Sequence, residues 1–162
     1  IIARPSTPAS YFHLLRRQAY ARPRKPLVVF TPKAMLRLRG ATSSTTDFTT
    51  GKFQPVLDDP AVTTGSGIQK VLLVAGKIYY DLKSEIEKRG ITGIALVRLE
   101  QYYPFPAADL QAIAAKYSGA QFVWVQDEPE NQGAWPFMVM EAQAAGLPPL
   151  SVVSRPRSAS PA

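Results

Sequence analysis

The chain has 162 residues, 46% of them hydrophobic and 19% charged, enough apolar content for a packed core and too much for global disorder. Its net charge of +7 is uneven: residues 1–46 carry nine cations and no acid before Asp47, while the remainder carries ten bases and twelve acids. The absence of cysteine excludes disulfides, thiolate metal sites and thiol nucleophiles, and suits a reducing, cytoplasmic setting.

In chain order, Thr7 reads as the N-cap of a helix with Pro8 at its first position, where a missing N–H costs nothing. Tyr11, Leu14, Leu15 and Ala19 share one helical face, and Arg16 and Arg17 lie near the end, where cations complement the macrodipole. Pro23 and Pro26 close the helix; residues 27–30 read as a short strand, and one helical turn then carries Met35 and Leu36. Gly, Ser and Thr dominate residues 40–46 and 63–67, so the stretch between reads as a crossing anchored by Phe53, Val56 and Leu57. An unstructured loop of this length is rare inside one domain, so a boundary is expected here: 1–40, a linker at 41–67, then 68–162.

From residue 70 the pattern becomes regular. Strands are predicted at 70–75, 94–99, 122–125 and 150–153. Helices are predicted around Ile78, Leu82 and Ile86, around Leu110, Ile113 and Tyr117, and over 136–145, with Gly90 and Gly146 as stops. Strands alternating with helices of this length predict an α/β fold, a three-layer αβα arrangement with a mostly parallel sheet. No apolar run is long enough to span a bilayer, which takes about 20 residues, so no membrane partner is expected.

Motifs that carry chemistry are sparse. Gly65-Ser66-Gly67 precedes a strand instead of following one, and reads as a turn. His13 is the only histidine and sits between Phe12 and Leu14, which reads as a packed or interfacial position; no triad and no metal site can be assembled around it. Asp127-Glu128 follows a strand, where open α/β sheets gather ligands, although acids there also serve as solvated loop or ion pair. The basic N-terminal block lacks aromatic interleaving, so nucleic acid is not the expected partner; a phosphate-bearing ligand or a partner subunit suits it equally. Two loops rich in aromatics and proline, 102–106 and 131–137, have the composition of a subunit or domain interface and equally suit local packing over a helix end.

Five strings in register resemble the thiamine-dependent first component of 2-oxoglutarate dehydrogenase: RPSTPASYFHLLRRQ (4–18), KPLVVFTPKAMLR (25–37), VLLVAGKIYYDL (71–82), VRLEQYYPFP (97–106) and VQDEPENQGAWPF (125–137). The closing RSASPA (157–162) fits too, and FTPK (30–33) with KFQPVLDD (52–59) looks most like the actinobacterial branch, where this component can be fused to an acyltransferase domain. The resemblance implies that 1–40 is the βαβ tail of a pyrimidine-binding domain and that 68–162 is a transketolase-like C-terminal domain. The family's Gly-Asp-Gly…Asn metal–diphosphate motif, its substrate-binding histidines and its thiazolium-activating glutamate have no counterpart here. The resemblance therefore implies thiamine diphosphate and Mg in the full-length enzyme, and no catalytic residue, cofactor or metal in this portion.

It further implies a homodimer, the remainder of the enzyme and a dihydrolipoyl succinyltransferase as partners, and a place in the tricarboxylic acid cycle. Tyr102, Tyr103, Asn131, Gln132 and Trp135 are the interface candidates. In actinobacterial relatives an acetyl-CoA regulatory site draws on this region; the matching positions are Arg17, Lys52 and Gln101, whose cations and amide suit phosphate and adenine. Where those relatives carry a serine and an arginine pair, this chain has Pro55 and Ala108-Asp109, which removes two cations and adds an acid. Acetyl-CoA or AMP is the expected regulator. The alternative is a stand-alone α/β module that binds such a regulator.

Overall fold

The first helix starts where its cap predicts. Thr7 is extended and its Oγ1 accepts the Ser10 N–H at 3.1 Å, which opens α1 (Pro8–Tyr20). The computed structural model describes residues 1–160; Pro161 and Ala162, which end the RSASPA motif, lie outside the described residues. Strand β1 (Ile2–Ala3) precedes α1, and β2 (Val28–Val29) and a 3-10 turn (Lys33–Arg37) follow it.

The buried stripe of α1 differs from the hydropathy reading. Ala9, Ser10, His13 and Leu14 are buried, whereas Tyr11 and Leu15 are exposed. The reason is polar: Ser10 Oγ–H donates to the Glu100 carboxylate at 2.6 Å and His13 Nε2 lies 2.7 Å from the Asp47 carbonyl. A carbonyl only accepts, so the His13 proton is on Nε2. Hydrogen bonds, and not the apolar count, turned the helix.

The crossing from 41 to 67 is structured and pinned. It holds α2 (Thr45–Thr49), opened by a Ser44–Asp47 capping box, and β3 (Val56–Leu57). Phe53 and Val56 are buried, as their anchoring role predicts. Asp58 accepts from Tyr117 Oη at 2.6 Å and from Lys116 Nζ at 2.5 Å, and Asp59 Oδ2 accepts the Leu96 N–H at 2.8 Å. Burial alone would raise the Asp58 carboxyl, but the hydrogen bonds from Lys116 and Tyr117 outweigh it and hold Asp58 below its ordinary value. Gly65 closes against the same helix end. A Cβ there would stand 1.8 Å from the Lys116 carbonyl oxygen. Gly65→Ala is therefore expected to displace the turn and cost about 2 kcal/mol, as overpacked sites do; urea unfolding midpoints measure it, and an unchanged midpoint contradicts the packing.

The rest of the chain runs β4 (Lys70–Val74), α3 (Ile78–Arg89), β5 (Ile94–Leu99), β6 (Gln101–Tyr103), α4 (Ala107–Lys116), β7 (Gln121–Pro129), α5 (Trp135–Ala144) and β8 (Leu150–Arg155). Gly90 caps α3 in the left-handed conformation at φ 61, the conformation a glycine stop supplies. Strands β3-β5-β4-β7-β8 form a five-stranded sheet. The pairs β4–β5, β4–β7 and β7–β8 are parallel and β3–β5 is antiparallel, so the sheet is mixed. Strands β2-β1-β6 form a second mixed sheet of three strands.

One strand runs well beyond its predicted length and another was not predicted. β7 continues past Val125 to Pro129 because β8 re-engages it at Arg155 after an irregularity. Tyr102 and Tyr103, expected in a loop over 102–106, join Gln101 in β6 because β1 offers an antiparallel edge nearly a hundred residues away in sequence.

The period-2 alternation of the strands sorts the core. Val71, Leu73, Val97, Leu99, Phe122 and Trp124 face Leu110, Ile113 and Tyr117 of α4 and Met138 of α5. Val74, Leu96, Val123 and Val125 face Ile78, Tyr79, Leu82 and Ile86 of α3. Helices thus cover both faces, and buried side chains of this size stabilise by roughly 1.5–3 kcal/mol each. Among the described residues no helix is long and apolar enough to cross a membrane.

Candidate functional site

The last turn of α1 brings two of the regulatory candidates together. Arg17 Nη2 donates to Gln101 Oε1 at 2.7 Å across 84 positions of sequence. Its guanidinium lies over the Phe53 ring, 4.3 Å from the centroid, a cation–π contact. Burial pulls the Arg17 guanidinium below its ordinary value, and it stays protonated at any physiological pH. Gln101 is buried, and its amide nitrogen donates to the Pro104 carbonyl at 2.8 Å. The amide is thus fixed, with its oxygen on Arg17.

Lys52 is exposed and adjoins Phe53 in sequence, on the rim of this cluster. Pro55 is close by: its carbonyl accepts the Glu100 and Gln101 N–H groups at 2.8 and 3.2 Å. Ala108 and Asp109 are exposed in the first turn of α4, where an acid complements the helix dipole. The arrangement offers a fixed guanidinium and an exposed ammonium, which suit a phosphate, with the Phe53 ring buried beneath Arg17.

Behind the cluster lies Glu100, the residue between β5 and β6, which the sequence reading did not single out. It is fully buried. Its Oε2 accepts the Ser6 N–H at 2.8 Å and the Ser10 hydroxyl at 2.6 Å, and its own carbonyl accepts the Arg4 N–H at 2.8 Å. Arg98 stands beside it, with Nη1 on Ser6 Oγ at 3.2 Å and the guanidinium over Tyr79 at 4.3 Å. Burial pushes the Glu100 carboxyl up, against the pull of Ser10, Ser6 and Arg98. A lone acid ending an apolar strand (IALVRLE, 94–100) was the available signal.

The second feature is the loop between β7 and α5, organised by Gln126. Its Oε1 accepts from Trp124 Nε1 at 2.8 Å and from the Trp135 N–H at 3.0 Å. Its amide nitrogen donates to the Pro129 and Gln132 carbonyls at 3.0 and 2.8 Å. Among the interface candidates, Asn131 exchanges two hydrogen bonds with Ser158 at 3.0 Å each, and Gln132 also donates to the Ser158 carbonyl. Trp135 is half-buried, Tyr103 is exposed, and Tyr102 is buried against Phe30 and Trp124 within this chain. These side chains do not form one patch: Tyr102 belongs to the core, and Asn131 and Gln132 hold the C-terminal tail.

Among the described residues no group of three or more His, Asp or Glu side chains could hold a metal ion.

Residues 42–162 match the family model described as 2-oxoglutarate dehydrogenase C-terminal. The chain is 45% identical, over 98% of its length, to the "Multifunctional 2-oxoglutarate metabolism enzyme" of Mycolicibacterium vanbaalenii. It is 50% identical over 84% of its length to the "2-oxoglutarate dehydrogenase E1/E2 component" of Corynebacterium glutamicum. It is 44% identical over 99% of its length to the "2-oxoglutarate dehydrogenase E1 component" of Cupriavidus necator. The chain spans 14%, 11% and 17% of these three relatives. With the family model covering most of its residues and the resembling strings all within the matched stretches, the chain belongs to the 2-oxoglutarate dehydrogenase C-terminal family.

Proposed function

We propose that this chain is the C-terminal dimerisation and regulatory portion of a thiamine-dependent first component of 2-oxoglutarate dehydrogenase. The whole enzyme would decarboxylate 2-oxoglutarate and pass the succinyl group to a lipoyl arm of a dihydrolipoyl succinyltransferase, in the tricarboxylic acid cycle of the cytoplasm. The cofactors, thiamine diphosphate and Mg, belong to the remainder of that enzyme. In this reading residues 1–40 are the tail of a pyrimidine-binding domain, 41–67 a linker and 68–162 a transketolase-like C-terminal domain. The chain's own task is to hold a regulator, acetyl-CoA or AMP, and to support a homodimer through Tyr103, Trp135 and their neighbours.

The observation that carries the regulatory part is the Arg17–Gln101 contact over Phe53. It leaves one cation, one amide and one ring fixed side by side, with Lys52 free at the rim. Two tests address the reading. The 162 residues alone, supplied with thiamine diphosphate and Mg²⁺, are expected to show no 2-oxoglutarate decarboxylation, and turnover would overturn it. Calorimetric titration with acetyl-CoA and AMP is expected to show saturable binding weakened at least tenfold in Arg17→Ala, the usual effect of losing one phosphate-directed cation. No heat with either ligand would leave the scaffold role alone.

A further inference from the structure

A cavity of about 680 Å³ opens at the carboxyl ends of β4 and β7, beside Tyr102 and Tyr103 of β6. β4 lies between β5 and β7, so the chain leaves it first to one side and then crosses to the other. Open α/β sheets form a crevice outside the strand ends at such a reversal, and this is where they bind ligands. The volume lies within the ~300–1,000 Å³ typical of small-molecule sites.

The walls are mostly apolar, with Phe30, Ile78, Tyr102, Trp124 and Phe137 among them. Three charged residues complete the lining: Arg4, Asp127 and Glu128. Arg4 Nη1 lies 3.5 Å from Glu128 Oε1, a long contact at a partly exposed site and therefore a weak one. Arg4 Nε is buried and has no hydrogen-bond partner among the described residues. Gly76, at φ 70, makes room for it, since a Cβ there would stand 2.5 Å from Arg4 Nε.

These charges select the ligand. A simple anion drawn to Arg4 meets Asp127 and Glu128; a simple cation drawn to the acids meets Arg4. A small zwitterion carries both charges a few ångströms apart and satisfies both walls, and the Arg4 guanidinium, held beside Tyr102 and Glu128, gives its anionic end a directional partner. The aromatic walls take an apolar substituent. We propose that this cavity binds an α-amino acid with a bulky apolar side chain: carboxylate on Arg4, ammonium on Asp127 and Glu128, side chain against Tyr102, Trp124 and Phe137. The proposal does not depend on the dehydrogenase reading.

The test is calorimetric titration of the full 162-residue chain with L-phenylalanine and L-leucine, alongside 3-phenylpropionate and phenethylamine, which each keep one charge and the ring. Saturable binding of an amino acid is expected, at least tenfold tighter than either single-charge analogue. Arg4→Met and Asp127→Asn are each expected to weaken it at least fivefold. No binding of either amino acid overturns the proposal, and so does equal affinity for one of the analogues. The analogue comparison is made on the unaltered chain, so it decides the matter even where a variant fails to fold.

Discussion

Trp124→Ala is expected to cost about 4 kcal/mol of stability, in the range of large-to-small changes at a fully packed aromatic. Trp124 is 1% exposed. It stands edge-to-face with Tyr102 at 6.3 Å and packs in the core cluster with residues of α4 and α5. The substitution also removes the indole N–H from Gln126, the side chain that gathers the loop before α5. Trp124→Phe keeps most of the volume and loses that one hydrogen bond, so about 1–2 kcal/mol is expected. Urea unfolding followed by circular dichroism separates the two variants. A Trp124→Ala chain within 1 kcal/mol of the parent would refute the packing described.

The second large effect is at Glu100. Glu100→Leu strands the Ser6 N–H and the Ser10 hydroxyl and leaves Arg98 without its nearest buried counter-charge; about 3 kcal/mol is expected to be lost. Glu100→Gln keeps an oxygen for both donors and removes the buried charge, so its stability at neutral pH is expected to lie within about 1 kcal/mol of the parent. The pH dependence distinguishes them further. The folded Glu100 holds its proton more tightly than the unfolded chain does, because burial raises its value above the ordinary 4.5. Unfolding then releases a proton once the pH passes the unfolded value, and the parent loses stability relative to Glu100→Gln as pH rises through that range. Asp58 has the opposite sign, its contribution being lost as pH falls below its ordinary 3.8, but both chains share it and it cancels in the difference. A parent–variant difference that is flat from pH 4 to 7 would contradict the buried, proton-holding carboxyl.

Much of the element order was legible in the sequence because it rests on local rules. Thr7-Pro8 and Gly90 mark helix ends through their own backbone preferences, and the alternating strands declare two buried faces. The rest depended on partners far away in sequence. Residues 101–103 contain nothing that distinguishes a strand from an aromatic loop; only the β1 edge decides it. The stripe of α1 follows Glu100 and the Asp47 carbonyl, which no helical periodicity contains. Arg17 and Gln101 entered as candidates through family resemblance, and their contact spans 84 positions that spacing alone could not bridge. Glu100 and Gln126 escaped notice because an acid or an amide at the end of an apolar strand reads as the start of a solvated loop until the fold buries it. Asp127-Glu128, expected just after a strand, lies inside the longer β7, where both residues line the cavity.

β5 ends at Leu99 and β6 begins at Gln101, so a single residue joins the two sheets. That residue grips α1 by its side chain and β1's neighbour Arg4 by its carbonyl. Mechanically it is a pivot with its bearing built in: the smaller sheet cannot tilt against the larger without breaking hydrogen bonds at Glu100. Arg17 bonds to the very next residue, Gln101, and Tyr102 and Tyr103 of the same strand wall the cavity. The Arg17 cluster and the cavity thus meet on one three-residue strand that starts directly after Glu100.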